Sequence, residues 1–161
     1  MDKSTIPANA QARAEHSARA MWAEDNASRG LGMEIRRVAP GEAELAMTVR
    51  PDMTNGHGIC HGGFIFTLAD STFAFACNSH GPHAVAYQCA VTFIRPVRGG
   101  TVLTAQAIER SRSGRNGIYD VTVRDGEGTV VAEFRGHARS IGGNWIPGEG
   151  KTEGPPQERN R

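Results

Sequence analysis

The sequence predicts an α+β domain in which an antiparallel β-sheet wraps around one long central helix. Three observations carry this. The run Phe64-Ile-Phe-Thr-Leu-Ala-Asp-Ser-Thr-Phe-Ala-Phe-Ala-Cys77 is apolar nearly all round, as suits a helix buried on every side rather than one lying on a surface. Before and after it, apolar residues alternate with polar ones at a period of two, the mark of half-buried strands. The strands that follow are joined by short, turn-rich connections, which favour antiparallel neighbours.

The elements follow in order. Ala8 to Ser28 is rich in Ala, Arg and Glu, with Ala14, Ala18, Met21 and Trp22 at helical spacing, and ends before Gly30 and Gly32, so a helix with a modest apolar face is expected there. Met33 and Ile35, then Ala43, Leu45, Met47 and Val49, alternate about the turn Pro40-Gly41 and read as a hairpin. The central helix ends near Asn78 and Gly81. Four further strands are expected at Ala84 to Arg95, Thr101 to Arg112, Asn116 to Arg124 and Thr129 to Ile141, as an antiparallel meander. The domain boundaries are set at 1–32 for an N-terminal helical segment, 33–142 for the wrapped-helix domain, and 143–161 for a polar, proline-containing tail expected to be disordered and without catalytic function.

The 161 residues suffice for one well-cored domain. Eighteen Lys and Arg against 17 Asp and Glu leave no strong field for nucleic acid or an anionic membrane surface. Cys60, Cys77 and Cys89 are an odd number without a C-x-x-C pair, which points to reduced thiols in a cytoplasm. No apolar run reaches membrane-spanning length and no signal-peptide pattern opens the chain.

Asp70 is the first catalytic candidate, because a carboxylate inside an apolar helix costs several kcal/mol in principle unless partners offset it. The glycine-rich segment Asn55-Gly-His-Gly-Ile-Cys-His-Gly-Gly63 precedes it. Gly62 and Gly63 fall at the helix start, where free N–H groups and the helix dipole stabilise anionic oxygen, and such a donor can contribute roughly 3 kcal/mol to an acyl-transfer transition state. On a straight helix the eight residues from Gly62 to Asp70 span about 12 Å, too far for one carbonyl carbon to meet both. Either the helix bends severely or, as favoured, the glycine turn of one protomer faces Asp70 of another in a two-fold dimer with shared sites. Asn55 offers an amide to orient water or hold the acyl carbonyl.

Plainer roles compete: a structural acid bonded to Ser71 or Arg95 for Asp70, and a tight turn for the two glycines. His57, Cys60 and His61 form H-x-x-C-H, with His80 and His83 beyond the helix, but no further ligand follows at a recognised metal spacing, and no metal site is assigned. No P-loop, dinucleotide fingerprint or G-x-S-x-G elbow is present.

At Asn55-Gly-His, Cys60-His-Gly-Gly, Phe66-x-Leu-Ala-Asp70 and Phe73-Ala-Phe-Ala-Cys-Asn78 the chain resembles the hotdog-fold thioesterases of the phenylacetic acid degradation type, the PaaI proteins. The likeness continues through Val91-Thr-Phe-Ile-Arg-Pro96, Gly117-Ile-Tyr-Asp120 and Phe134-Arg-Gly136. The resemblance implies a homodimer with sites at its interface, a homotetramer of two dimers, and hydrolysis of acyl-coenzyme A with no metal or organic cofactor. It makes Asp70 the catalytic acid, acting as base or nucleophile, Gly62 the backbone donor to the thioester oxygen, and Asn55 the polar group near carbonyl or water. His61 and Gly63 belong to the substrate-binding turn, and Tyr87 and Gln88 stand where relatives place a small polar group.

Coenzyme A phosphates call for cations. Arg95, Arg110, Arg112, Arg115 and Arg139 are available, and the stretch Arg112, Arg115, Asn116 is the one favoured. The resemblance alone implies the expected substrates, aryl-acetyl-CoA thioesters of the phenylacetyl or hydroxyphenylacetyl kind, in phenylacetate catabolism. The rivals are a non-catalytic acyl-CoA binding or sensing module, which needs no acid on the helix, and a hotdog hydratase or dehydratase, which needs a His and an acid poised over an acyl chain.

Overall fold

The computed structural model describes residues 9–149. Two short helices, α1 (Ala10–Glu24) and α2 (Asn26–Gly30), precede a hairpin of β1 (Glu34–Ala39) and β2 (Glu42–Thr48). The long helix α3 (Gly62–Cys77) follows, and then β3 (Pro82–Phe93), β4 (Val102–Ser113), β5 (Asn116–Arg124) and β6 (Val130–Asn144). The N-terminal helix expected over Ala8 to Ser28 is broken at Asp25. Its carboxylate accepts from the Ser28 N–H at 2.9 Å and from the Ser28 hydroxyl at 2.6 Å, so it caps a new helix in place of continuing the old one. The Ser28 hydroxyl also lies 2.8 Å from that of Ser71, which ties α2 to the back of α3.

The six strands form one antiparallel sheet in the order β1-β2-β4-β5-β6-β3. The expected four-strand meander is thus corrected: β4, β5 and β6 make one, but β3 pairs with β6 at the sheet edge. Residues 94–101 are long enough to cross the three strand spacings, about 14 Å, that separate β3 from β4. The edge at β1 is covered by α1, whose Gln11 Nε2 donates to the Val38 carbonyl at 3.0 Å. The twelve-residue edge at β3 has no such cover among the described residues. Val85, Tyr87 and Phe93 along it, and Ile94 just beyond, are 45, 57, 50 and 48% exposed.

The sheet curls around α3, as the sequence predicts. Ile65, Leu68, Phe73 and Phe75 are buried among Leu45, Met47, Leu103, Val121 and Phe134 from the strands. Gly136 of β6 allows a close approach, since an added Cβ would come within 2.7 Å of the Phe73 ring. That ring is itself held between Tyr119 and Phe134 and has no room to retreat. Gly136→Ala is expected to cost about 1–3 kcal/mol by overpacking; urea unfolding would measure it, and an unchanged midpoint would show that Phe73 has slack.

Asn78, just past α3, closes the far end. Its Nδ2 donates to the carbonyls of Ala74 and Ala84, and its Oδ1 accepts from Ala84 N and Trp145 Nε1. The last contact corrects the expected boundary at 142. The strand β6 continues through Gly142 and Gly143, both at positive φ, to Asn144, and Ile146 is buried. Two glycines that read as a strand terminus here let the strand continue. The rest of the expected tail, and residues 1–8 of the N-terminal segment, lie outside the described residues. Among the described residues no helix is long and apolar enough to cross a membrane.

Candidate active site

The first turn of α3 owes its shape to His61. Its ring Nδ1 accepts from the Gly63 N–H at 2.9 Å, and its carbonyl accepts from Phe64 N at 3.0 Å. The imidazole thus caps the helix in the way a Ser or Asp usually does, with Nδ1 unprotonated. This separates the two glycines: the Gly63 N–H is occupied, whereas the Gly62 N–H donates to no group among the described residues.

Asn55 lies in the loop before the turn. Its Oδ1 accepts from His57 N at 2.9 Å and its backbone closes the loop through Ile59 and Gly58. With Oδ1 committed, Asn55 presents its Nδ2 donor. Asn55 and Gly62 line one cavity of about 430 Å³, together with Phe93, Arg95 and Pro96. A backbone N–H and a side-chain amide donor therefore share a wall with one cation, an arrangement suited to an oxygen that gains negative charge. Cys60 is buried, with its thiol directed at the His61 carbonyl. Burial pushes its pKa up, so it is no thiolate nucleophile beside His61.

Asp70 lies two turns further along α3, half-buried. Among the described residues it has no cation and no backbone donor. Its one polar contact is the Cys89 thiol of β3, 4.0 Å from Oδ1. Burial raises the Asp70 pKa. The thiols around it are raised as well: Cys77 to about 12, by burial and then by the Asp70 charge, and Cys89 to about 11 for the same two reasons. Both thiols are neutral near pH 7, so Asp70 faces weak donors that do not compete for its proton. Neither Ser71, which bonds to Ser28, nor Arg95 pairs with it.

A second, smaller cavity of about 80 Å³ opens at the other end of α3, lined by Cys77, His80, Arg112, Arg115, Asn116 and Tyr119 among others. Glu109 organises its rim, accepting from the Tyr119 hydroxyl at 2.7 Å and lying 2.6 Å from His80 Nε2. Burial pushes the Glu109 carboxyl up, but the hydrogen bonds from Tyr119 and His80 outweigh it and hold the group below the usual range. Arg115 donates twice to the Ser140 carbonyl.

The model of the thioesterase superfamily matches residues 57–132. The acyl-coenzyme A thioesterase PaaI of Escherichia coli is 43% identical over 137 residues, 85% of this chain and 97% of that one. The structure of the E. coli PaaI protein from the phenylacetic acid degradation operon superposes with a TM-score of 0.83, covering 84% of this chain and 99% of that one. The chain belongs to the PaaI-type hotdog thioesterases. Human acyl-coenzyme A thioesterase 13 is a more distant relative, 30% identical over 77% of this chain and 91% of that one.

As a PaaI-type protein the chain is a hotdog-fold thioester hydrolase. Of the residues singled out in its sequence, the structure brings Asn55, Gly62, His61 and Gly63 to one end of α3, with Asp70 about 12 Å along the axis. Arg112, Arg115 and Asn116 gather at the opposite end. Tyr87 and Gln88 do not face Asp70 within the protomer. A bulge between Ala86 and Gln88 breaks the alternation, and the Tyr87 ring lies against His137, 5.9 Å between centroids. Gly136 and Ala138, on either side of His137, are buried and Gly136 meets Phe73, so His137 and its register partner Gln88 face away from α3. Sequence reasoning assigns neither Cys89 nor Phe93 to the site; their common spacing of four along β3, which puts both on the face toward α3, is the available signal.

Proposed function

We propose that this thioesterase hydrolyses acyl-coenzyme A, with aryl-acetyl thioesters of the phenylacetyl or hydroxyphenylacetyl kind as its preferred substrates, from sites shared across a homodimer. The observation that carries the reading is Asp70: a half-buried acid without a cation among the described residues, on the helix whose first turn holds a free N–H about 12 Å away. The open edge of β3 supports the dimer. A long, apolar, unpaired strand is a template for pairing, and a second copy adding its own β3 antiparallel places the two α3 helices head to tail. The partner's Gly62 and Asn55 then come beside Asp70, and the two cavities of opposite ends adjoin. Arg95 from one protomer and Arg112 and Arg115 from the other flank the mouth, where the phosphates of coenzyme A require them. Two such dimers make the homotetramer that the family pattern favours.

The chemistry follows from the donors. The Gly62 N–H and the Asn55 Nδ2–H hold the thioester oxygen. Asp70, made more basic by burial, takes a proton from water as that water attacks the carbonyl carbon. The tetrahedral intermediate collapses, the C–S bond breaks, and the thiolate leaves with the proton that Asp70 returns. The chain's own groups perform every step, and neither metal nor organic cofactor enters. His61 is committed to the helix cap and not to an acyl chain, which favours hydrolysis over hydration. The aryl preference is supported by the phenylacetic acid degradation operon that houses the E. coli relative.

Release of free thiol from phenylacetyl-CoA, compared with acetyl-, decanoyl- and benzoyl-CoA, tests the substrate. A kcat/KM at least roughly tenfold higher for phenylacetyl-CoA is expected, since one apolar group well placed in a pocket discriminates by about that much. Equal or higher values for an alkyl chain would overturn the aryl preference and leave the thioesterase reading standing.

A further inference from the structure

Eight residues of α3 separate Gly62 from Asp70, about 12 Å. Four residues of β3 separate Phe93 from Cys89, about 13 Å. The two elements run alongside each other so that Cys89 touches Asp70 and Phe93 touches Gly62. A Cβ built on Gly62 would meet three atoms of the Phe93 ring at 2.8, 3.1 and 3.2 Å, and those are its three nearest neighbours. Phe93 is the last residue of β3, opposite Ala132 of β6, and the chain beyond it is pinned where Ile94 N and Arg95 N both donate to the Val131 carbonyl. The ring is half-exposed and forms the one aromatic wall of the cavity shared by Asn55, Gly62 and Arg95.

We propose that Phe93 is a positioning residue for the hydrolysis: its ring, seated on Gly62, fixes the first turn of α3 against β3 and keeps bulk water off the Gly62 N–H. This rests on the reading of Gly62 as the donor to the thioester oxygen. A hydrogen bond to a developing oxyanion is strengthened where water is excluded and where the donor need not move at the moment of reaction. The ring supplies both conditions, and it does so from the edge strand through which the dimer forms. Position 62 is then constrained twice: it must supply a backbone N–H, which proline alone cannot, and it must carry no Cβ to strike the ring.

The test uses the full-length protein with Phe93→Ala, Phe93→Leu, Gly62→Ala, and the double variants Gly62→Ala/Phe93→Ala and Gly62→Pro/Phe93→Ala. Steady-state kinetics with the best acyl-CoA of the panel above are accompanied by melting curves and solution mass. Phe93→Ala is expected to lower kcat roughly 100-fold, the scale of an ångström-sized misplacement, with KM within about threefold of native. Phe93→Leu, which keeps apolar bulk over Gly62, is expected to restore most of kcat. Gly62→Ala is expected to lose activity and melting temperature alone, yet to add nothing to either loss once Phe93 is Ala. Native kcat in a folded, dimeric Phe93→Ala, or losses that multiply in the Gly62→Ala/Phe93→Ala variant, would overturn the proposal. The Gly62→Pro/Phe93→Ala variant reports on the underlying reading separately. Proline fits the first helical position but carries no N–H, so activity equal to that of Phe93→Ala would show that Gly62 is not the donor, whereas a further loss supports it.

Discussion

Asp70→Asn is expected to reduce thioester hydrolysis by a factor of about 10²–10⁴, the usual contribution of a positioned general base, while the folded protein becomes more stable. Both effects have one origin. Burial raises the Asp70 pKa and, among the described residues, no cation lowers it again, so the ionised form that the reaction needs is the form the fold disfavours. A group whose folded pKa lies above its unfolded one contributes stability that is complete below the unfolded pKa and is lost as pH rises through the folded one. Asparagine does not titrate. The melting-temperature advantage of the variant should therefore be absent at acid pH, open across the window that begins at the ordinary aspartate pKa, and hold constant above the raised one. In the native enzyme kcat/KM should rise with pH through that same raised pKa, above the ordinary aspartate range. An Asp70→Asn protein that is less stable at neutral pH would show that the carboxylate holds the helix in place. One that keeps full activity would remove it from the chemistry.

The same burial made this residue legible in the sequence, because a lone acid among Phe, Leu and Ala at helical spacing is unusual without a task. The central helix, the hairpin at Pro40-Gly41 and the β4 to β6 meander were legible for a similar reason: each is set by residues near one another in the chain. What escaped depends on distant pairings or on one side chain outcompeting a propensity. Nothing local places β3 against β6. The break at Asp25 follows from its carboxylate finding Ser28, and the bulge at Ala86 to Gln88 turns Tyr87 outward although simple alternation would set it on the face of Cys89. At the site, the acid and the glycine turn were visible as residue types, and so was the distance between them. The family resemblance singled out Gly62 over Gly63, but the physical ground for that distinction was not legible, since it rests on which N–H the His61 ring captures. Nor was the seat of Phe93 on Gly62.

The largest consequence of the shared-site reading appears when two inactive proteins are mixed. Asp70→Asn lacks the base and Gly62→Ala displaces the donor turn. If one site takes Asp70 from one protomer and Gly62 from its partner, a heterodimer of the two variants collects both lesions in one site and leaves the other intact. Random reassociation after mild unfolding makes half the dimers mixed, so about a quarter of the native activity should return from two preparations that each have almost none. If donor and base act from the same protomer, every site carries a lesion and mixing restores nothing. The control is a charged substitution on the open edge, Val85→Lys, which is expected to hold the chain as a monomer by opposing edge-to-edge pairing. Because its Asp70, Gly62 and Asn55 are all present, a monomer of this kind that hydrolyses acyl-CoA at the native rate would show that one protomer suffices. A folded but inactive monomer, alongside recovery on mixing, would locate the reaction between two chains: an acid kept reactive by burial in one, and an N–H left free by a histidine cap in the other.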